Sequence, residues 1–138
     1  MGASDTVILV LTHGVLAQTL VETASLIVGK LENVFYINFP KEKDISFIDT
    51  KLKKFINENK DKNILIFIDI FGGSCLNVCC KYLQYKNIKV FTGINLPILL
   101  EAIMDKNYLS FSELIKKLKE KVSEAVIFVN EKVDKYNK

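Results

Sequence analysis

Apolar runs too short for a helix alternate along this chain with longer stretches of helical periodicity, and that alternation leaves few folds open. Val7 to Leu11 is compact and β-branched, and Thr12-His13-Gly14 bounds it, the pattern of a buried strand. Leu16, Leu20, Ala24, Ile27 and Val28 then recur at helical spacing up to Gly29, a C-terminal stop. The unit repeats. Val34 to Phe39 predicts a second strand, closed by Pro40, and Phe47, Ile48, Leu52, Phe55 and Ile56 mark a second helix. Ile64 to Asp69 predicts a third strand, followed by a helix from Ser74 to Tyr85, a short strand over Val90 to Thr92 and an apolar helix starting near Pro97. Ser110-Phe111-Ser112-Glu113 has the spacing of a capping box. In the helix it opens, Leu114, Ile115, Leu118 and Val122 alternate with Lys116, Lys117, Lys119 and Lys121, which read as its wet face. Ala125 to Val129 predicts a last strand, with frayed ends over residues 1–6 and 130–138.

Strands alternating with helices predict an α/β domain: a doubly wound, flavodoxin-like, mostly parallel sheet with helices on both faces and right-handed crossovers. The 138 residues, 49% of them hydrophobic, suit one domain with a single substantial core. The formal charge of +3 comes from 19 basic and 16 acidic residues. This slight, mostly lysine-based excess has no aromatic interleaving and argues against nucleic acid as a partner. Met1 to Asp5 is too short and polar for a signal peptide, and no apolar run approaches the roughly 20 residues that span a bilayer. The expected location is the cytoplasm, which also suits the cysteines: Cys75, Cys79 and Cys80 crowd into one helix and cannot join distant segments.

In such sheets ligands sit beyond the carboxyl ends of the strands, where the winding reverses, and a flavodoxin-like order makes the first and third strands neighbours there. His13, the chain's one histidine, follows the first strand, and Asp69 ends the third. A carboxylate bonded to one imidazole nitrogen fixes the tautomer and leaves the other nitrogen free to attack. Gly72, Gly73 and Ser74 open a helix just after Asp69, so backbone N–H groups can approach an anion, helped by the positive helix end. Ser74 can cap that helix or donate to a phosphate oxygen, and Thr12 can do likewise. Together these parts suggest phosphate carried on His13. Singly, each has a plainer reading: a structural histidine, a loop-capping aspartate, a tight Gly-Gly turn.

Neither G-x-x-x-x-G-K-[ST] nor G-x-G-x-x-G occurs, which removes support for the common kinases and dehydrogenases, and the acids of a receiver domain are missing after the first strand. No cofactor is called for. His13, Cys75 and Cys79 offer three metal ligands by spacing where a structural zinc takes four, so no metal is expected.

"THG" at Thr12 to Gly14, "IDIFGGS" at Ile68 to Ser74 and "TGINLPILLE" at Thr92 to Glu101 resemble the IIA component of mannose-family sugar phosphotransferase systems, in order and over about Val7 to Val129. The resemblance implies that His13 is phosphorylated by HPr and passes the phosphate to a IIB domain. The membrane IIC and IID components would take part only indirectly, in coupled sugar uptake. It implies that Asp69 orients the histidine, and that Thr12, Gly14, Phe71, Gly72, Gly73 and Ser74 belong to the active-site loops, with Asn95 and Pro97 in a second signature loop. It also implies a homodimer in which Ala125 to Val129 is exchanged between subunits. Two positions depart from the family pattern: Phe71 stands where tryptophan is usual and Cys75 where proline is usual.

Two other readings compete. A thiol enzyme would use Cys75, its pKa lowered at a helix N-terminus, with His13 as base. A regulatory module, such as the phosphotransferase-like subunit serving dihydroxyacetone kinase, would share the fold and a related histidine.

Overall fold

The computed structural model describes residues 5–137. Its centre is a four-stranded, wholly parallel sheet of β1 (Thr6–His13), β2 (Val34–Phe39), β3 (Asn63–Ile68) and β4 (Ile88–Thr92), in the order β2-β1-β3-β4. The predicted flavodoxin-like order is therefore present, with β1 and β3 side by side. In β1 the chain is buried from Thr6 to Thr12, and β3 is buried from Ile64 to Ile68. Such double-sided burial is why both strands read as unbroken apolar runs rather than as alternations.

The pleat divides these residues between two layers. Val7, Leu9 and Leu11 join Ile64, Ile66 and Ile68 against Ile48, Leu52 and Ile56 of α2 (Ile45–Glu58) and Cys75, Val78 and Cys79 of α3 (Ser74–Cys79). Ile8, Val10, Leu65 and Phe67 face the other way. They meet Ala17, Val21 and Ala24 of α1 (Leu16–Val28), Leu99 and Ala102 of α4 (Leu96–Asp105), and Leu114 and Leu118 of α5 (Phe111–Lys121). Each fully buried Val, Leu or Ile contributes about 1.5–3 kcal/mol relative to an exposed one, so one polar substitution in β1 or β3 is severe.

Local signals set the helix ends. Asn95 accepts a hydrogen bond from the Ile98 amide and starts α4, with Pro97 in its first turn. Ser110 and Glu113 form the predicted capping box of α5. One lysine of the predicted wet face does more: Lys117 lies 3.2 Å from Glu101 and 2.8 Å from Asp105, pinning α5 to α4.

Three expectations require correction. The helix after Ser74 is α-helical only to Cys79 and ends in a 3-10 turn, Cys80–Tyr82, because the predicted span to Tyr85 has few apolar positions to bury beyond Cys79. Ala125 to Val129 is not a strand in this chain: a 3-10 turn at Val122–Glu124 runs into an irregular segment, and α6 (Val129–Asn137) follows. No sheet edge pairs with it, so its apolar side chains stay in solvent, with Val126 83% and Phe128 65% exposed. The ends also differ from the predicted fraying, since Thr6 is a buried strand residue and residues 130–137 belong to α6; residues 1–4 and 138 lie outside the described residues.

Candidate functional site

The parallel register aligns Leu11 with Ile68, so the next residues of β1 and β3 emerge together at the carboxyl edge of the sheet. Gly14, at φ +62°, turns the chain back there, and its amide donates to the Phe39 carbonyl at 2.8 Å. This turn holds His13 at the sheet edge, level with Phe39. The loop after β3 is held from its other side, where the Gly93 amide donates to the Asp69 carbonyl and the Ile94 amide to that of Ile68.

Asp69 then has three donors. The His13 backbone N–H meets Oδ2 at 3.0 Å, His13 Nδ1 lies 2.9 Å from the same oxygen, and the Ile70 amide donates to Oδ1 at 3.0 Å. Burial pushes the carboxyl pKa up, but these hydrogen bonds and the attraction of the imidazole outweigh it and hold the group below its ordinary value. Asp69 is thus an acceptor, and the Nδ1 it faces carries the proton. Nε2 points away from the carboxylate toward Gly73. A Cβ on Gly73 would sit 3.0 Å from His13 Cε1 and 3.5 Å from Nε2, so this glycine is there for closeness. Gly72, at φ +89°, supplies the turn that brings it in.

The other anticipated residues divide. Ser74 begins α3 but does not cap it, because Gly73 holds the cap position without a side-chain bond. The N–H groups of the first turn of α3 have no partners within the helix. Phe71 projects into solvent, 83% exposed, keeping an aromatic surface on the loop. Thr12 is turned inward: its buried hydroxyl accepts the Ala17 amide at 2.6 Å and donates to the His13 carbonyl at 3.2 Å. It fixes the β1–α1 junction and is not free to meet an anion. Asn95 is likewise spent on capping α4, and Pro97 is exposed in the first turn of that helix.

Sequence reasoning missed Phe39, whose ring centre lies 5.8 Å from that of His13. The matching ends of β1 and β2 carried that signal. It also misjudged Cys75. The thiol is fully buried with Sγ 3.9 Å from His13 Nδ1, and burial, reinforced by the Asp69 charge, pushes it up to about 12. A protonated thiol is a poor nucleophile, and the thiol-enzyme reading fails on it. Cys79 does not join this group: it packs in the core beneath α2, and the metal-ligating types that converge are His13, Asp69 and Cys75.

Exposed apolar side chains flank the two loops: Val15 and Leu16 beyond His13, Ile70 and Phe71 beyond Asp69. No helix among the described residues is long and apolar enough to cross a membrane.

Comparison with known proteins places the chain among phosphotransferase system components. The mannose-specific EIIAB component of Escherichia coli K12 is 33% identical over 107 residues, covering 75% of this chain and 33% of that protein, so the chain spans a third of that relative. The fructose-specific EIIA component of Bacillus subtilis is 28% identical over 109 residues, 78% of this chain and 75% of that one. The sorbose-specific EIIA component of Lacticaseibacillus casei is 29% identical, covering 84% and 87%. A phosphotransferase system EIIA component from Streptococcus agalactiae superposes with a TM-score of 0.83 at 25% identity, covering 91% of this chain and 98% of that one. Residues 7–119 match the EIIA-man family, described as the PTS system fructose IIA component, and the chain belongs to that family.

Proposed function

We propose that this chain is the IIA phosphotransfer protein of a mannose-family sugar phosphotransferase system, carrying phosphate on His13 Nε2. The observation that carries the reading is the 2.9 Å contact between His13 Nδ1 and Asp69 Oδ2. With its proton on Nδ1, the imidazole presents the Nε2 lone pair to the phosphorus of phosphohistidine on HPr. The new P–N bond forms as the donor's P–N bond breaks, and the donor imidazole leaves with that electron pair. Positive charge that develops on the His13 ring is balanced by Asp69, already in place in the resting state. Transfer to a IIB domain runs the same step in reverse.

A partly exposed histidine between loops bearing Val15, Leu16, Ile70 and Phe71 suits exchange between protein surfaces. Residues 125–129 supply a second surface. A homodimer in which the partner's sheet receives this segment would cover Val126, Ile127 and Phe128 and give the segment the strand neighbour it lacks within one chain. The expected setting is the cytoplasm, with the membrane IIC and IID components reached through IIB.

Incubation with the general phosphotransfer enzyme, HPr and labelled phosphoenolpyruvate tests the reading. One acid-labile phosphate per chain, absent in His13→Ala, is expected. Label that persists in His13→Ala overturns it.

A further inference from the structure

We infer that His13, Asp69 and Cys75 form a three-ligand site for a thiophilic divalent cation of the zinc class, with a fourth position left to water. Nδ1 lies 2.9 Å from Asp69 Oδ2 and 3.9 Å from Cys75 Sγ, and one ligand atom from each of the three residues lies within 4.8 Å of the others. A tetrahedral zinc, with bonds of about 2.0–2.3 Å, spaces its ligand atoms about 3.3–3.6 Å apart. The two separations from Nδ1 bracket that value, and the carboxylate oxygen and the sulfur lie within 4.8 Å of each other. Closing the cage moves the carboxylate away from Nδ1 and the carboxylate and thiol toward each other, by up to about an ångström, through rotation of the Asp69 and Cys75 side chains. One sulfur, one imidazole nitrogen and one carboxylate oxygen select zinc or cobalt over magnesium or calcium, which want oxygen alone. Three protein ligands and a water make an open site, unlike the closed four-ligand structural kind.

The placement is specific. Cys75 is the second residue of α3 and is fixed in the core, whereas Cys80 is exposed on the following turn, away from the sheet edge. Access runs past the His13 ring, whose side chain is 42% exposed while that of Asp69 is 13% exposed. On binding, the thiol proton leaves to solvent and the Nδ1 proton passes through solvent to Nε2, so that a thiolate, a neutral imidazole and a carboxylate face the cation. The site goes from a net charge of −1 to neutral, so no excess charge is created in a partly buried place.

The cation would also take from Asp69 the nitrogen that the carboxylate orients and would leave the proton on Nε2, which then has no lone pair to offer phosphorus. Metal occupancy and phosphorylation are therefore mutually exclusive. This regulatory half rests on the phosphotransfer reading, whereas the binding itself does not.

Cobalt(II) is the probe for binding, added to the full-length reduced chain. One cobalt per chain with a thiolate-to-cobalt charge-transfer band is expected. The band should be lost in Cys75→Ser and in His13→Gln, retained in Cys79→Ser and Cys80→Ser, and displaced by zinc. Circular dichroism of each variant separates loss of a ligand from loss of the fold. Absence of the band in the wild type, or its survival in a folded Cys75→Ser, overturns the site. In the labelling assay, zinc should suppress phosphate incorporation at least tenfold in the wild type and leave Cys75→Ser labelled in the same mixture. Equal suppression of both overturns the regulatory half, and a chain that never takes label leaves the cobalt result to decide the site alone.

Discussion

One oxygen of Asp69 holds His13 at two points: Oδ2 lies 3.0 Å from the backbone nitrogen and 2.9 Å from ring nitrogen Nδ1. The main-chain bond anchors the end of β1, and the ring bond sets the tautomer, so position and protonation are fixed by the same group.

Asp69→Asn keeps an acceptor but loses the charge that balances the ring. Phosphate transfer should slow by about 10²–10⁴-fold, the scale of a positioned acid–base partner, with the fold retained. Rapid-quench labelling checks this. The carboxyl pKa is held below 3.8 in the folded chain, so its stabilising contribution is complete above that value and is lost as pH falls through the depressed one. The stability difference between wild type and Asp69→Asn should shrink below pH 3.8, as measured by denaturant titration across acid pH.

Gly73→Ala separates closeness from backbone strain. The Gly73 backbone is extended, at φ −92°, so alanine is conformationally acceptable, yet its Cβ would press on His13 Cε1 at 3.0 Å. Stability should change by no more than about 1 kcal/mol, while labelling slows by about tenfold or more as the ring is displaced. Thermal melting and labelling kinetics on the same sample give the two numbers.

Thr12→Val preserves shape and removes the hydroxyl that accepts the Ala17 amide. A buried donor left unpaired costs about 1–3 kcal/mol, and Thr12→Ser should recover most of it. Urea unfolding of the three proteins checks the order wild type, Ser, Val.

Thiol labelling distinguishes Cys80 from its neighbours. Cys75 and Cys79 are buried and pushed up to about 12, so at about pH 8 the folded chain should expose one reactive thiol, and the denatured chain all three. Mass spectrometry after alkylation counts them.

The exposed segment at Val126 to Val129 predicts a mass in solution of about twice 15.7 kDa by light scattering. A chain ending at Ser123 should be monomeric or less stable, with His13 still able to take label. A well-behaved full-length monomer would count against the dimer alone.

The sequence by itself determined the sheet and its edge. Runs such as Val7 to Leu11 and Ile64 to Ile68 are apolar throughout because both faces of the central strands are buried, and that pattern is visible without coordinates. Their neighbourhood followed only with a flavodoxin-like strand order, which the sheet has and which brings His13 to Asp69. Capping at Ser110 was equally legible, because a capping box lies within four consecutive residues. Only the tertiary structure decided what each polar group does. Thr12 and Asn95 stand beside the site in sequence but spend their side chains on helix ends, a choice set by which amides the fold leaves unpaired. Burial turned Cys75 from a candidate nucleophile into a protonated thiol, since desolvation depends on what packs around a group and not on its place in a helix. Ala125 to Val129 has a strand's composition, but a strand needs a hydrogen-bonding neighbour, and this segment pairs with neither edge strand of the sheet, β2 or β4.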